Sequence, residues 1–530
     1  MSLFSAGRPT RWQSLATSLI TAFLLFLAMP GYFGWWPLLF IALVPILSAA
    51  LYLPPLRSGC MGLLAGFIYN MLTLHWLVVV LGKYGGLPPW LSVPAMVLLS
   101  LYMGIYLALF CLLLSLFGGR SWHKERSVVT LVWIAPVLWV GLDYLRGILF
   151  SGFPWLDLGY GLYSQPVLIQ AADLGGHHLI SFGLVLTNGL IVSIIDRQRS
   201  KVHWNIRMER RLLFAACCFL IFVFGYSMVR YRVMPSLFRP ALQAEISVVQ
   251  GNILQDEKWV PEKKEKTVAV YERLSRLAVA GRTTELLVWP ETALPFYPQN
   301  DPLSRRVADL VRKENVYLLT GAPTYQVDQS GEKPKVDYFN SALLIDPGGV
   351  IVQTYAKQHL VPFGEYVPLR KYLPFLAPLV VNVGDFTAGT SSSPLPLGND
   401  VKLGILICFE SIFPEIARNE VAAGANILVN LTNDAWYGRT SAPYQSMAMT
   451  VFRAVETKRS LVRAANTGIS GFVDPAGNII EKTDIFVPGA ITAQLPVFEK
   501  QTVFVRTGYM FGAACLALIP VLLLFRRRHI

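Results

Sequence analysis

A run of about 20 apolar residues can lie in hydrocarbon only as a helix, because nothing there but its own turns can satisfy the backbone N–H and C=O groups. Eight such runs mark this chain: Trp12–Met29, Trp36–Leu53, Gly59–Leu81, Trp90–Phe117, Val128–Phe150, Val167–Ile195, Leu212–Val229 and Tyr509–Phe525. Seven precede residue 232 and one follows residue 505. Composition agrees: 54% of residues are hydrophobic and 15% charged, against about 25% charged in an ordinary soluble domain. A disordered chain is excluded, and the composition weighs against a purely soluble enzyme. The net charge of +13 would suit a nucleic-acid partner, but much of the basic excess lies in short loops between apolar runs, where membrane topology accounts for it.

Those loops predict an orientation. Arg8 and Arg11, Arg57, Arg120, Lys124 and Arg126, the group from Arg197 to Arg211, and Arg526–Arg528 alternate with loops that carry little beyond Lys83. Basic loops stay in the cytoplasm, so both termini are expected there and residues 232–505 outside. Residues 1–232 are read as a seven-helix transmembrane region, 240–500 as an external catalytic domain, and 506–526 as a returning helix. The first run follows two arginines as a signal peptide would, but its length and the span close behind it favour a retained helix. Asp143, Arg146, Asp157, Asp173 and the pair His177/His178 interrupt the fifth and sixth runs, which predicts a re-entrant or interfacial segment there.

Past residue 240 short β-rich runs (Ala244–Val249, Leu286–Trp289, Val316–Thr320, Ala342–Ile345, Leu403–Ile407, Ile427–Asn430) alternate with helical stretches such as Lys263–Ala280 and Ser304–Asn315. That order predicts an α/β layered domain. No phosphate-binding glycine loop and no Cys/His cluster of metal spacing is present, so neither a metal nor a cofactor is expected. Five cysteines fall in the apolar runs. Cys408 stands alone in the external domain, at the end of a strand-like run, where open α/β sheets carry catalytic groups. A nucleophile and a buried structural thiol are both open readings. A nucleophilic thiol needs a base or a neighbouring cation. His359, the domain's single histidine, could serve, and so could Glu291 with Lys357; spacing does not choose between them.

Three segments do choose, by resemblance. Val288-Trp289-Pro290-Glu291-Thr292, Lys357 within YAKQHLVPFGEYVP, and Cys408 within GILICFES resemble the nitrilase superfamily, in the order of its Glu-Lys-Cys triad. HLVPFGEYVP, Gln250–Ile253 with Trp259, Asn430–Trp436, and Leu145-Arg146-Gly147 through Gly152-Phe153-Pro154-Trp155 are similar to one branch, the bacterial apolipoprotein N-acyltransferases. The resemblance implies an eight-helix transmembrane base carrying an αββα nitrilase-like sandwich in the inner membrane. It implies transfer of an acyl chain from a phospholipid, phosphatidylethanolamine being the expected donor, to the α-amino group of a diacylated apolipoprotein, with a thioester on Cys408 as intermediate. Trp259, Glu365 and Glu410 match supporting residues of the family. Its tyrosine after the nucleophile is Phe409 here, which leaves a packing role, and Asp143 stands where the family has Glu. The alternative is a membrane-anchored amidase using the same triad with water.

Substrates drawn from a bilayer require an opening toward lipid, since each CH₂ pulled into water costs about 0.8 kcal/mol. The apolar, two-proline stretch Tyr372–Val383 is expected to be a mobile arm dipping into the outer leaflet, with an ordinary core strand as the alternative. Arg146 is read either as a ligand for a lipid phosphate or as an ion-pair partner of Asp143. Asn70 and His75, polar groups in the third run, are read either as functional groups within the membrane or as helix–helix hydrogen bonds.

Overall fold

The computed structural model describes residues 9–118, 128–200, 206–238, 242–329, 334–366, 386–390, 393–398 and 400–527. Two compact units result, one of residues up to 77, 90–232 and 509 onward, the other of residues 78–89 and 233–508. The stretch Tyr372–Val383 lies outside the described residues, as do Arg8, Arg120, Lys124 and Arg126.

The first unit is helical. Among the described residues five helices are long and apolar enough to cross a membrane (Arg11–Ala28, Pro89–Gly118, Leu131–Ile148, His177–Gln198 and Glu209–Leu237), or six if the bent pair Pro55–Thr73 and Trp76–Tyr84 is one span. The other two runs form shorter helices, Trp36–Ala50 and Met510–Leu524. The second run is divided because Pro37 and Pro45 each open a new helix, having no N–H to continue the one before. The sixth starts late: residues 166–175 make two helices of four residues, and the long helix begins at His177. The helix Val128–Ile148 packs on His177–Ser200 and on Met510–Arg527, burying Val132, Val140, Phe182, Leu186 and Cys515. His75 bonds Tyr32 through Nε2 at 3.1 Å, whereas Asn70 donates to Gly66 O of its own helix at 2.7 Å.

The second unit is built on two six-stranded sheets. The first holds β1 (Gln243–Gln250), β2 (Leu286–Val288), β3 (Tyr317–Asp328), β4 (Lys335–Ile345), β5 (Ile351–Ala356) and β12 (Gly489–Pro496), in the order β12-β1-β2-β3-β4-β5. The other holds β6 (Leu395–Leu397), β7 (Val401–Ile407), β8 (Ile427–Thr432), β9 (Ser460–Ala465), β10 (Gly471–Val473) and β11 (Ile479–Lys482), in the order β11-β10-β9-β8-β7-β6. β1, β2 and β3 run parallel, as do β7, β8 and β9. Alternate residues decide the layering. Ile246, Val248, Val288, Leu344, Ile405, Val429 and Val462 fill one core shared by both sheets. Val249, Leu287, Leu318 and Leu343 point the other way, against helices Lys264–Val279 and Leu303–Glu314. Helices Pro414–Ala422 and Ala442–Thr457 lie on the second sheet. The layers are αββα, and the six expected strands are β1, β2, β3, β4, β7 and β8.

Candidate active site

Each of the three predicted triad residues follows the last residue of a strand, or lies a short turn beyond it. β7 is buried and pairs in parallel with β8, and the chain then turns sharply at Cys408, whose φ of 53° is a left-handed conformation uncommon for a residue with a side chain. A 3₁₀ turn, Cys408–Ile412, follows and leaves the thiol half-buried. Lys357 comes directly after β5, with its amide on Asn340 O at 2.9 Å. Glu291 comes three residues after β2, in a turn whose next residue, Thr292, also has positive φ (46°).

The side chains form one network. Glu291 accepts from the Asn340 side-chain amide at 2.8 Å and from the Asn433 main-chain amide at 2.9 Å. Lys357 is 1% exposed, 3.8 Å from Glu291 and 2.8 Å from Glu365. Asn340 also donates to Glu365 at 2.9 Å, and Glu365 accepts from the Val361 amide at 2.9 Å. Burial alone would lower the Lys357 pKa; the carboxylates of Glu365 and Glu291 outweigh it, and the ammonium stays charged. Burial pushes the Cys408 thiol up to about 12; the Glu291 charge adds to this, while Lys357 and a hydrogen bond from Thr432 oppose it. Burial thus favours the protonated thiol, and the side chains of Glu291 and Lys357 stand within electrostatic reach of it.

Glu410 couples two arms of this network. Its carboxylate accepts from the amides of Ile407 (2.7 Å), Gln358 (2.6 Å) and His359 (3.1 Å), and from the Tyr355 hydroxyl (3.1 Å). The Cys408 turn is thereby tied to the strand end that carries Lys357. Burial raises the Glu410 pKa to about 7, with the amide donors holding it back. Phe409 is buried, with its ring against Phe413 and His359, which is a packing role. His359 packs on Phe413 at 3.9 Å, and the pair that bears on the thiol is Glu291 and Lys357. Trp259 is 45% exposed. Arg146 belongs to the helical unit. It is ion-paired with Asp143 at 3.4 Å and with Asp157, beside a small cavity of about 50 Å³ lined also by Tyr69, Asn70 and Trp139.

Several residues of the network carried no sequence signal that singled them out. Lys258 is 2% exposed and donates to the Glu291 main-chain carbonyl at 3.0 Å. Burial lowers its pKa to about 8, opposed by the charges of Glu291 and Cys408. Gln255, one turn earlier, accepts from the side chain of Asn433 at 2.8 Å. Gly321 lies under the Glu291 turn, where a Cβ would meet Glu291 Cα at 2.6 Å and Pro290 O at 2.7 Å. On the far side of Cys408, Thr432 donates to Asp434 at 2.8 Å, and Asp434 is ion-paired with the fully buried Arg463 at 3.0 Å.

Residues 245–500 match the carbon-nitrogen hydrolase family, and residues 21–190 match the apolipoprotein N-acyltransferase N-terminal domain. With the sandwich and its Glu-Lys-Cys network, the first match defines the class: a nitrilase-superfamily enzyme, here joined to an apolar helical unit. The apolipoprotein N-acyltransferase of Geobacter metallireducens is 39% identical over 97% of this chain and 95% of its own length; that of Methylococcus capsulatus is 32% identical over 92% and 93%, and that of Photobacterium profundum 31% over 89% and 87%. The chain belongs to the apolipoprotein N-acyltransferase family. Among solved structures it is similar to an amidase from Nesterenkonia sp. (22% identity, 48% of this chain and 90% of that one, TM-score 0.36) and to the C. elegans NitFhit protein (20%, 53% and 64%, TM-score 0.37).

Proposed function

We propose that the protein is a membrane-embedded acyltransferase that moves an acyl chain from a phospholipid to the α-amino group of a diacylated apolipoprotein, through a thioester on Cys408. The observation that supports this reading is the buried pair of Glu291 and Lys357, 3.8 Å apart and within electrostatic reach of a half-buried thiol, in a chain of this family. Glu291 takes the thiol proton as sulfur attacks the donor ester carbonyl; the C–S bond forms, the C–O bond breaks, and the proton passes to the departing lysophospholipid oxygen. The amine then attacks the thioester. C–N forms, C–S breaks, and the amine proton returns through Glu291 to the thiolate. Lys357 lies where it can stabilise the negative oxygen of each tetrahedral intermediate. Asn340 and the Asn433 amide hold Glu291, Glu365 holds Lys357, and Glu410 fixes the distance between Lys357 and Cys408. Forming a thioester from an ester is uphill and forming an amide from it is strongly downhill, which gives direction and ping-pong kinetics.

In this reading eight spans sit in the bacterial inner membrane with both termini cytoplasmic. Residues 1–232 and 506–526 are the membrane base and 240–500 the periplasmic catalytic domain. Phosphatidylethanolamine is the expected donor, Trp259 borders the acyl pocket, and Arg146 faces a lipid phosphate only if it can exchange its carboxylate partners.

Intact-mass analysis tests the reaction. Detergent-purified protein incubated with phosphatidylethanolamine gains one acyl mass, Cys408→Ala gains none, and neutral hydroxylamine removes the adduct. A diacylated lipopeptide then collects the chain. Absence of the adduct from wild-type protein sinks the reading, and release of free fatty acid without an acceptor favours a membrane-anchored amidase.

A further inference from the structure

The helical unit holds a second cluster of chemistry-bearing residues, unconnected with acyl transfer. Asp157 interrupts the apolar sequence, as do the adjacent His177 and His178 that open the helix His177–Ser200. All three are 2% exposed or less. Their ligand atoms converge, lying within 4.8 Å of one another. His177 Nε2 is 2.7 Å and His178 Nε2 3.4 Å from the same Asp157 oxygen, Oδ2. The Tyr509 hydroxyl, from just before the helix Met510–Arg527, adds a fourth atom 3.2 Å from His177 Nε2 and 3.5 Å from His178 Nε2. Four N and O ligands at 2.0–2.1 Å around a tetrahedral ion are separated by about 3.3 Å, which is the scale of these distances.

The surroundings suit an ion. The other nitrogen of His177, Nδ1, meets the Tyr160 hydroxyl at 3.1 Å, and a partner of this kind on the far ring nitrogen orients metal-binding histidines. Arg146 holds the other oxygen of Asp157, leaving Oδ2 to the imidazoles. Tyr160 stacks on His177 at 4.4 Å and Tyr509 on His178 at 4.7 Å. Gly512 makes room for the second pair, since a Cβ there would come within 2.5 Å of His178 Nδ1. Charge points the same way. Asp143 and Asp157 against Arg146 leave one negative charge in a buried place, which has to be compensated.

We propose that Asp157, His177, His178 and Tyr509 form a structural site for a divalent transition-metal ion, Zn²⁺ by ligand type, which ties the loop after Ile148 to the starts of two helices. Four protein ligands with no open position define a structural site rather than a catalytic one. Coordination by the Tyr509 oxygen displaces its proton to solvent, so uptake weakens as pH falls. The competing occupant is a single proton held between His177 and Asp157.

The test uses full-length protein in detergent, purified without a histidine tag, stripped with EDTA and reloaded with Zn²⁺. Elemental analysis after gel filtration is expected to find one Zn²⁺ per wild-type chain and less than about one tenth of that in the His177→Gln/His178→Gln variant. The wild-type melting temperature is expected to rise by several degrees with Zn²⁺ and the variant's to stay fixed. If that variant does not fold, X-ray absorption on wild-type protein decides: two imidazoles among N/O ligands at about 2.0 Å support the site, and sulfur ligation overturns it by moving the metal to cysteines such as Cys217 and Cys218. Equal retention by wild type and variant, or no retention with a melting temperature indifferent to Zn²⁺, overturns it as well, the last in favour of the proton.

Discussion

Gly321→Ala is the most direct probe of how closely Glu291 is held. The glycine sits in β3, with its amide on Pro290 O and its carbonyl accepting from Leu294, both at 3.1 Å. The main chain on either side of the Glu291 turn is therefore stitched to it. A methyl group would meet Thr292 N at 2.4 Å and Glu291 Cα at 2.6 Å, and reaching an ordinary contact of 3.4 Å requires a displacement of about 1.0 Å. β3 cannot supply that shift, being paired on both sides, so the turn must. Misplacement of a reacting group by about 1 Å costs on the order of 10²-fold in rate, or about 2.7 kcal/mol of barrier. The assay is transfer from phosphatidylethanolamine to a diacylated lipopeptide, with formation of the Cys408 adduct followed separately. The comparison is Gly489→Ala, at a strand glycine where a methyl group has open space. Gly321→Ala is expected to slow adduct formation about 100-fold, with Gly489→Ala unchanged. A folded Gly321→Ala protein within threefold of wild type would refute the argument that the position of Glu291 limits the reaction.

Three further outcomes follow from buried charges. Burial raises the Glu420 pKa to about 8, with the neighbouring Glu410 charge adding to it; a carboxyl protonated more readily folded than unfolded stabilises at acid pH and loses that contribution as pH rises, here from about 4.5 to 8. Glu420→Gln should match wild type near pH 5 and exceed it by roughly 3–5 kcal/mol above pH 8, and parallel melting-temperature curves across that range would refute this. Removing Arg463, whose side chain and that of Asp434 are essentially inaccessible, leaves an uncompensated buried carboxylate. Arg463→Met should destabilise by about 3–5 kcal/mol, and adding Asp434→Asn should recover part of the lost melting temperature. Lys258→Met removes a donor to the Glu291 carbonyl and a positive charge near Cys408; the acylation rate of Cys408 at neutral pH is expected to fall about tenfold, a result within twofold of wild type being the contrary finding.

The legible part of this protein was what leaves a local trace. Glu291 and Cys408 each stand at or near the end of an apolar strand-like run, Lys357 was marked only by the segment around it, and the two sheets were visible through β1, β2, β7 and β8, whose residues are nearly all buried. The holders were not legible. Asn340 bridges two carboxylates from the middle of a strand, a function set by what lies across the sheet. Lys258 sits in Gln-Asp-Glu-Lys, a string that reads as solvated surface, and its burial is a tertiary event. The helix Ala442–Thr457 is buried on nearly every side, so it has no amphipathic stripe to betray its period. The break inside the second apolar run left no trace in hydropathy, because its prolines divide the helix without making it less apolar.

The division of the site between two sheets has a consequence for biogenesis. Glu291 and Lys357 come from the first sheet and Cys408 and Asn433 from the second, and the two are brought together by the shared core and by bonds such as Asn433 to Glu291 and Tyr355 to Glu410. A chain whose sandwich has not yet closed therefore carries its thiol without the carboxylate and the ammonium beside it. Until the sandwich closes, that sulfur has the ordinary reactivity of a free cysteine; closure, a late event because it joins distant segments, switches on the chemistry. Under the proposed reaction the fold then acts as its own safety catch, the nucleophile gaining its partners only when the two sheets have packed.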